Sequence, residues 1–173
     1  MKISVERLFG HDVDAIDVDE RLALRGDLKG RYPGGVRVEA RIGRISRGVY
    51  VEGFVEGVEQ ETCVRCLERF TRPVRVEIAE PFSEEVAVKD APISDVAPLV
   101  DRTVDFDALV GELLEVDEPI AAICAEDCAG ICPTCGRNRN LEPCACDRTA
   151  RANSAPADER MAGLAKFLQE HEN

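Results

Sequence analysis

Cysteine is the residue type in this chain whose spacing points to chemistry. Of eight cysteines, six fall in CAEDCAGICPTCGRNRNLEPCAC, from Cys124 to Cys146, and the other two form CVRC at Cys63 and Cys66. The only imidazoles are His11 and His171, so the pairs CxxC, CxxxC, CxxC and CxC read as thiolate ligands of a metal, with zinc the default ion. Tetrahedral zinc takes four donors, and two cysteines two to four residues apart reach one ion from a single turn. Cys132 and Cys135 fit this best. They sit in CPTCG, where Pro133 stiffens the turn and Gly136 can take a positive φ that brings backbone N–H groups toward the sulfurs.

Such a half-site needs a second pair. Cys144 and Cys146 follow after a short loop that contains Asn138, Asn140 and Pro143, so the first expected site is Cys132, Cys135, Cys144 and Cys146. A second site forms if Cys63 and Cys66 return to meet Cys124 and Cys128. The alternative partition lets Cys128 join Cys132. One or two ions per chain are therefore expected. A mononuclear iron suits the same four-thiolate cage, and colour would separate it from zinc.

Disulfides are the main rival for an even cysteine count. The opening MKISVERLFG has no cationic, apolar, cleavable leader, and such bonds are rare in the cytosol, so a cytoplasmic metalloprotein is the expectation. Neither ferredoxin spacing occurs, and no βαβ pattern surrounds CVRC as a thioredoxin-like motif requires. There is no Walker loop, no GxGxxG before a helix, no HExxH and no serine nucleophile motif. A full set of cysteines also leaves no open coordination position, so a closed structural site, not an enzyme, is expected.

The elements that must position these thiols are thinly packed. Aromatic residues make up 5% of the 173 and tryptophan is absent, leaving Val, Leu, Ile and Ala to form the core. Structural zinc contributes on the order of 10–16 kcal/mol of apparent binding free energy in small modules, as much as the whole stability of a typical domain. The cysteine ribbon is expected to unfold without it. The formal charge of -12 is concentrated in residues 79–129, with the flanking regions neutral and rich in arginine. An acidic total is a poor predictor of nucleic-acid binding, but here it is local.

Periodicity gives an α+β chain built mainly on an antiparallel β meander or barrel-like sheet with one packed helix. Residues 2–9 read as a short strand or entry segment, 11–30 as a loop with a short strand, and YPGG as a turn. Val36, Val38, Ala40 and Ile42 alternate with Arg37, Glu39 and Arg41, the period of a half-buried strand. Val49, Val51 and Val55 mark a second strand, in which Gly53 and Gly57 invite bulges. Val74, Val76 and Ile78 mark a third, with CVRC at the connection leading into it. Residues 83–104 read as a long surface loop. DFDALVGELLEVDEP reads as a helix near 105–117, capped by Asp105, and Met161, Leu164, Ala165 and Leu168 place a short C-terminal helix after a linker. The expected organisation is a β domain over 1–123, a zinc-ribbon-like segment over 124–147, and a linker and helix over 148–173. No stretch is long and apolar enough to span a membrane.

CVRCLERF, a sheet, VDFDALVGELL, a proline and then C-x3-C-x-G-x-C-x2-C-G-x-N-x-N ending in CxC together resemble the YceD family of bacterial proteins, named for accumulation of large-subunit ribosomal RNA. The similarity covers most of residues 35–168. Arg139 stands where the pattern has an aliphatic residue, and family members differ in which cysteines they keep. The resemblance implies a non-enzymatic cytoplasmic factor supporting synthesis, processing or stability of large-subunit ribosomal RNA. Beside it, the residues offer Arg37, Arg41, Arg65, Arg69, Arg72, Arg75, Arg137 and Arg139 as a basic surface for phosphates of that RNA or an assembly intermediate. The alternative for the strand arginines is cross-strand pairing with Glu39, Glu52 and Glu77. A different function class is an adaptor whose acidic segment binds a basic ribosomal or transcription protein without touching RNA.

Overall fold

A computed structural model describes residues 1–10, 12–87 and 95–146. The chain forms two compact units, Met1–Cys128 and Ala129–Asn173. The first unit runs on to Cys128 instead of ending at residue 123, because Cys124 and Cys128 stand with the sheet's own cysteines. The expected C-terminal helix lies outside the described residues.

The first unit is α+β. Its order is β1 (Lys2–Ser4), α1 (Glu6–Phe9), β2 (Ala15–Leu22), α2 (Gly26–Arg31), β3 (Val36–Ile45), β4 (Gly48–Thr62), β5 (Arg69–Ser83), β6 (Ala97–Pro98), β7 (Thr103–Asp105) and α3 (Phe106–Val116). Strands β2 to β5 form an antiparallel meander in the order β2-β3-β4-β5, and β6 adds to β5 in parallel. Among the described residues the sheet is open and does not close into a barrel. β1 and β7 make a separate two-stranded ribbon.

The period-two pattern puts Val36, Val38, Ala40 and Ile42 of β3 on the buried face with Val49, Val51 and Val55 of β4 and Val74, Ile78 and Phe82 of β5. Phe106, Leu109, Val110 and Leu114 of α3 join the same cluster. Burying each such side chain contributes roughly 1.5–3 kcal/mol, so this small-residue core depends on its number of contacts. Asp105 caps α3 as expected: its carboxylate accepts from the Asp107 N–H at 3.0 Å.

Three local expectations change. The acidic stretch after residue 11 holds a full eight-residue strand, β2, because on its outer face Asp17 lies opposite Arg41 and Asp19 pairs diagonally with Arg37, while Val18 and Leu22 point inward. Residues 97–98 and 103–104 of the expected surface loop fall in strands β6 and β7, and α1 and α2 are short helices whose periodicity is too brief to reveal them. Finally, β4 pairs one-to-one with both neighbours through Gly53 and Gly57, with no bulge. Gly53 instead permits close approach. Its φ is +155°, and a Cβ there would stand 2.1 Å from the Glu39 carbonyl oxygen.

Both prolines of β5, Pro73 and Pro81, fall on the side of the strand away from β4. The Ser83 carbonyl, of the same parity, accepts from the Leu99 N–H at 2.8 Å outside the β4–β5 ladder. A residue without an N–H is tolerated there because, among the described residues, neither Pro73 nor Pro81 has a ladder partner on that side.

Candidate metal centres

The long β4–β5 hairpin ends in a six-residue connection that turns CVRC back on itself. The Cys63 N–H donates to the Glu68 carbonyl at 2.9 Å and the Leu67 N–H to the Cys63 carbonyl at 2.9 Å, with Leu67 at a φ of +63°. After α3 the chain returns: the Val64 N–H donates to the Ala122 carbonyl at 2.9 Å, and Arg65 donates to the Glu126 carbonyl at 3.1 Å. These bonds bring Cys124 and Cys128 against the turn. The Cys63 and Cys128 sulfurs lie 3.8 Å apart and those of Cys66 and Cys124 3.7 Å apart. Four thiolates about 2.3 Å from one tetrahedral ion stand about 3.8 Å from each other. The four sulfurs therefore fit a single ion. Cys63, Cys66 and Cys128 are buried beneath Phe70, and Cys124 is exposed.

The second unit builds the other centre from one local segment. The Cys132 N–H donates to the Arg137 carbonyl at 2.8 Å, the Gly136 N–H to the Cys132 carbonyl at 2.8 Å, and Gly136 takes a φ of +73°. A bridge between Ile131 and Asn138 closes this turn. Asn138 and Asn140 then lock the loop that brings Cys144 and Cys146 back. Asn140 Oδ1 accepts from the Ala129 N–H at 2.7 Å, and Asn138 Oδ1 accepts from the Asn140 N–H at 3.0 Å. The two asparagines were read only as loop residues, yet they are the staples of the site; their Asn-x-Asn spacing is the signal. One ligand atom from each of Cys132, Cys135, Cys144 and Cys146 lies within 4.8 Å of all the others, as holds for the first group.

The electrostatics of both groups favour a cation. Burial pushes the Cys63 thiol up, but the N–H groups of Cys124, Cys66 and Arg65 outweigh it and bring it down to about 6. The N–H groups of Cys135 and Thr134 bring Cys132 to about 6 as well. Burial, then the neighbouring sulfurs, push Cys124 up to about 12, and hydrogen bonding to Cys135, followed by burial, pushes Cys146 up to about 11. Cys63 and Cys132 are thus the readily ionised thiols of their groups, and an ion bound there would displace the protons of Cys124 and Cys146. Either group could hold a metal ion. The partition that joins Cys128 to Cys132 does not occur.

The arginines named from sequence are largely engaged with carboxylates. Arg37 makes two bonds of 2.8 Å to Asp19, which raise its affinity for its proton, and lies 3.2 Å from Glu39. Arg41 reaches Asp17 at 3.0 Å. Arg75 pairs with Glu56 and stacks over Phe54, its guanidinium 3.6 Å from the ring centre. Cross-strand pairing does occur, but mainly with Asp17, Asp19 and Glu56 instead of the expected Glu52 and Glu77. Arg65 serves the first cysteine turn, Arg69 is exposed, and Arg137 lies 4.0 Å from Glu142. The half-buried Arg139 donates its backbone N–H to the Gly130 carbonyl at 2.9 Å.

Arg72 belongs to a buried network that sequence reasoning missed. Glu59 of β4 is 0% exposed, and its carboxylate accepts from Arg72 Nε at 2.8 Å and from Arg31 Nε at 2.9 Å. Arg31 goes on to Glu118 at 2.8 Å and Arg72 to Asp117 at 3.3 Å. Those two acids end α3 and begin the run to Cys124, so Glu59 ties the sheet to the segment that delivers two ligands. The Tyr32 hydroxyl is buried beside it, and that burial, with the Glu59 carboxylate, pushes its ionisation up. Parity was the available signal: Val51, Gly53, Val55, Gly57 and Glu59 share one face.

An α+β chain with two four-cysteine groups, each able to hold an ion, is the class of protein that fold and sites define. The family model described as large ribosomal RNA subunit accumulation protein YceD matches residues 51–168, more than half of the chain, and the chain belongs to that family. An uncharacterized protein of Mycobacterium tuberculosis is 30% identical over 108 residues, covering 61% of this chain and 52% of its own length, and one of Mycobacterium bovis matches to the same extent. An uncharacterized protein of Mycobacterium leprae is 27% identical over 110 residues, 62% of this chain and 51% of its own. The chain spans about half the length of the curated relatives it matches. No solved structure matches it. Among the described residues, no helix is long and apolar enough to cross a membrane.

Proposed function

We propose that this chain is a non-enzymatic, cytoplasmic bacterial protein, stabilised by two zinc ions, that supports synthesis, processing or stability of large-subunit ribosomal RNA by contacting that RNA or an assembly intermediate. The observation that carries the reading is the pair of four-cysteine groups in a chain of this family, with sulfur separations of 3.7 and 3.8 Å in the first group suited to a tetrahedral ion. Zinc is preferred over iron because a closed cage of four thiolates is its usual structural site. Four cysteines per ion leave no position for water or substrate, which is the support for a structural and not a catalytic metal. The RNA contacts would fall to Arg69, Arg137 and Arg139, with the paired Arg37, Arg41, Arg65, Arg72 and Arg75 contributing less. Depletion of the protein, with ribosomal subunits and precursor RNA profiled, is the test. Reduced large subunits with accumulating precursor are expected, and unchanged large-subunit levels would overturn the role. Purified protein should bind ribosomal RNA in a salt-dependent way, and Arg137→Ala with Arg139→Ala should abolish it.

A second reading, an adaptor that holds a basic ribosomal or transcription protein without touching RNA, is favoured by one observation. Most sheet arginines already carry carboxylate partners, whereas among the described residues the carboxylates of Glu80, Asp95, Asp101 and Glu112 have none, although Glu84, Glu85, Asp105 and Asp107 nearby do. Absent RNA binding together with retention by a basic partner would select it.

A further inference from the structure

A cavity of about 1330 Å³ opens between the end of β5, β6, the β6–β7 turn and one face of α3. The helix contributes Asp105, Ala108, Leu109, Glu112, Leu113 and Val116, spaced three and four residues apart, so the groove follows the helix along its whole length. Its floor is apolar. Phe82 and Leu109 are buried at its base, while Val100 and Val116 stand 50% and 86% exposed at its margins. The opposite face of α3, with Phe106, Val110 and Leu114, is already in the core.

The margin is acidic. Glu80, Asp95, Asp101 and Glu112 line the cavity, and their carboxylates have no hydrogen bond or ion pair among the described residues. Among the described residues the one cation of the lining, Lys2, lies 3.5 Å from Asp105. An apolar trough with a negative rim repels phosphate and so excludes a nucleic acid as its occupant. It complements a chain that carries positive charges beside apolar anchors. Eleven helical residues span roughly 17 Å, the length of about five residues of extended chain. The sheet edge beside the groove is also open: on the side of β5 away from β4, only Phe82 and Ser83 have ladder partners among the described residues.

We propose that this groove docks a short, extended, basic polypeptide segment, its apolar side chains seated on Leu109, Leu113 and Val116 and its lysines or arginines paired with Glu80, Asp95, Asp101 and Glu112. The inference gives the adaptor reading a site and a partner chemistry, and it rests on that reading for its biological meaning. Its location is independent of both cysteine groups.

The test uses the full-length, zinc-loaded protein and a fluorescein-labelled nine-residue peptide that alternates lysine and leucine, with a glutamate–leucine peptide as control. Saturable binding of the lysine peptide is expected, weakened at least tenfold by the double variant Glu80→Lys, Glu112→Lys and at least tenfold between 50 and 300 mM salt, about a Debye-length change from 14 to 6 Å. The glutamate peptide should not bind. Glu112 is exposed and Glu80 half-buried, so the thermal midpoint and circular dichroism of the double variant are measured alongside, and Glu112→Lys alone, a surface change expected to leave stability within about 0.5 kcal/mol, should weaken binding in the same direction. Binding of both peptides alike, or binding of the lysine peptide that the double variant leaves unchanged, would overturn the proposal. So would a concentration-dependent dimer that Leu113→Glu dissolves, since a second copy would then be the occupant. Retention of the unaltered protein and the double variant alike by a basic ribosomal protein would remove the groove and leave the adaptor reading standing.

Discussion

Replacing Glu59 with glutamine keeps its shape and removes its charge, and the consequence follows from the geometry around it. The carboxylate is 0% exposed and is met by two guanidinium groups, Arg31 and Arg72, whose side chains are 19% and 31% exposed. Removing one partner of a buried ion pair costs about 3–5 kcal/mol, because the charge left behind has no compensation. Here each arginine retains an outer carboxylate, Glu118 at 2.8 Å or Asp117 at 3.3 Å, and both are partly hydrated. The loss should therefore sit at the lower end, about 3 kcal/mol. For a chain of this size that is roughly a 6–12 °C fall in midpoint temperature. Calorimetry or urea unfolding monitored by circular dichroism would measure it on zinc-loaded protein. A double-mutant cycle adds specificity: Arg31→Met should cost at least about 1 kcal/mol less in the Glu59→Gln background than in the parent. A Glu59→Gln variant within about 0.5 kcal/mol of the parent, or strict additivity in the cycle, would refute the network as a tie between sheet and ligand-bearing segment.

Asn140→Ala removes the acceptor of the Ala129 N–H, a loss of about 1 kcal/mol, and should speed zinc release to a chelator from the Cys132 group while leaving the Cys63 group unchanged. Gly53→Ala places a methyl group 2.1 Å from the Glu39 carbonyl oxygen at a φ of +155°, and should destabilise the sheet by roughly 2 kcal/mol or more in denaturant titration. For Asp105, burial raises the carboxyl's proton affinity, but the N–H groups of Asp107 and Ala108 and nearby Lys2 prevail and hold it below its ordinary value. A depressed folded value means the cap contributes stability above the unfolded value of about 3.9 and loses it as the pH falls through the lower folded value. Asp105→Ala should cost about 1 kcal/mol at pH 7, and the difference from the parent should shrink on acidification below about pH 4.

How much of this was readable in the chain depends on the range of the interaction that made each feature. The Cys132 group is local, so CPTCG followed by CxC announced its members, and the positive φ at Gly136 followed from the turn it must make. The Cys63 group required two distant segments to meet, and it was reachable because four of eight thiols remained once the local site was filled. Strands β3 to β5 were visible because valines mark one face. β2 was legible only as a short strand within a loop, because its outward Asp17 and Asp19 resemble a solvated loop until Arg41 and Arg37 of the neighbouring strand are placed within reach. Glu59 was hidden by its chemistry. In the run Val58, Glu59, Gln60, hydrophobicity points Val58 inward, but the parity set by Val51 and Val55 sends Val58 to solvent and Glu59 to the core. The helix α3 and its Asp105 cap were legible in full, whereas the groove along its outer face depends on the placement of β6 and β7, two short strands with no periodic signal.

The central claim is that two thiolate cages each grip one ion. Elemental analysis of freshly purified, reduced protein, with protein quantified by amino-acid analysis, tests it most directly. Two zinc ions per chain are predicted, falling to one in Cys63→Ser and to one in Cys135→Ser. A metal-free preparation that keeps the parent's circular dichroism and thermal transition would contradict it.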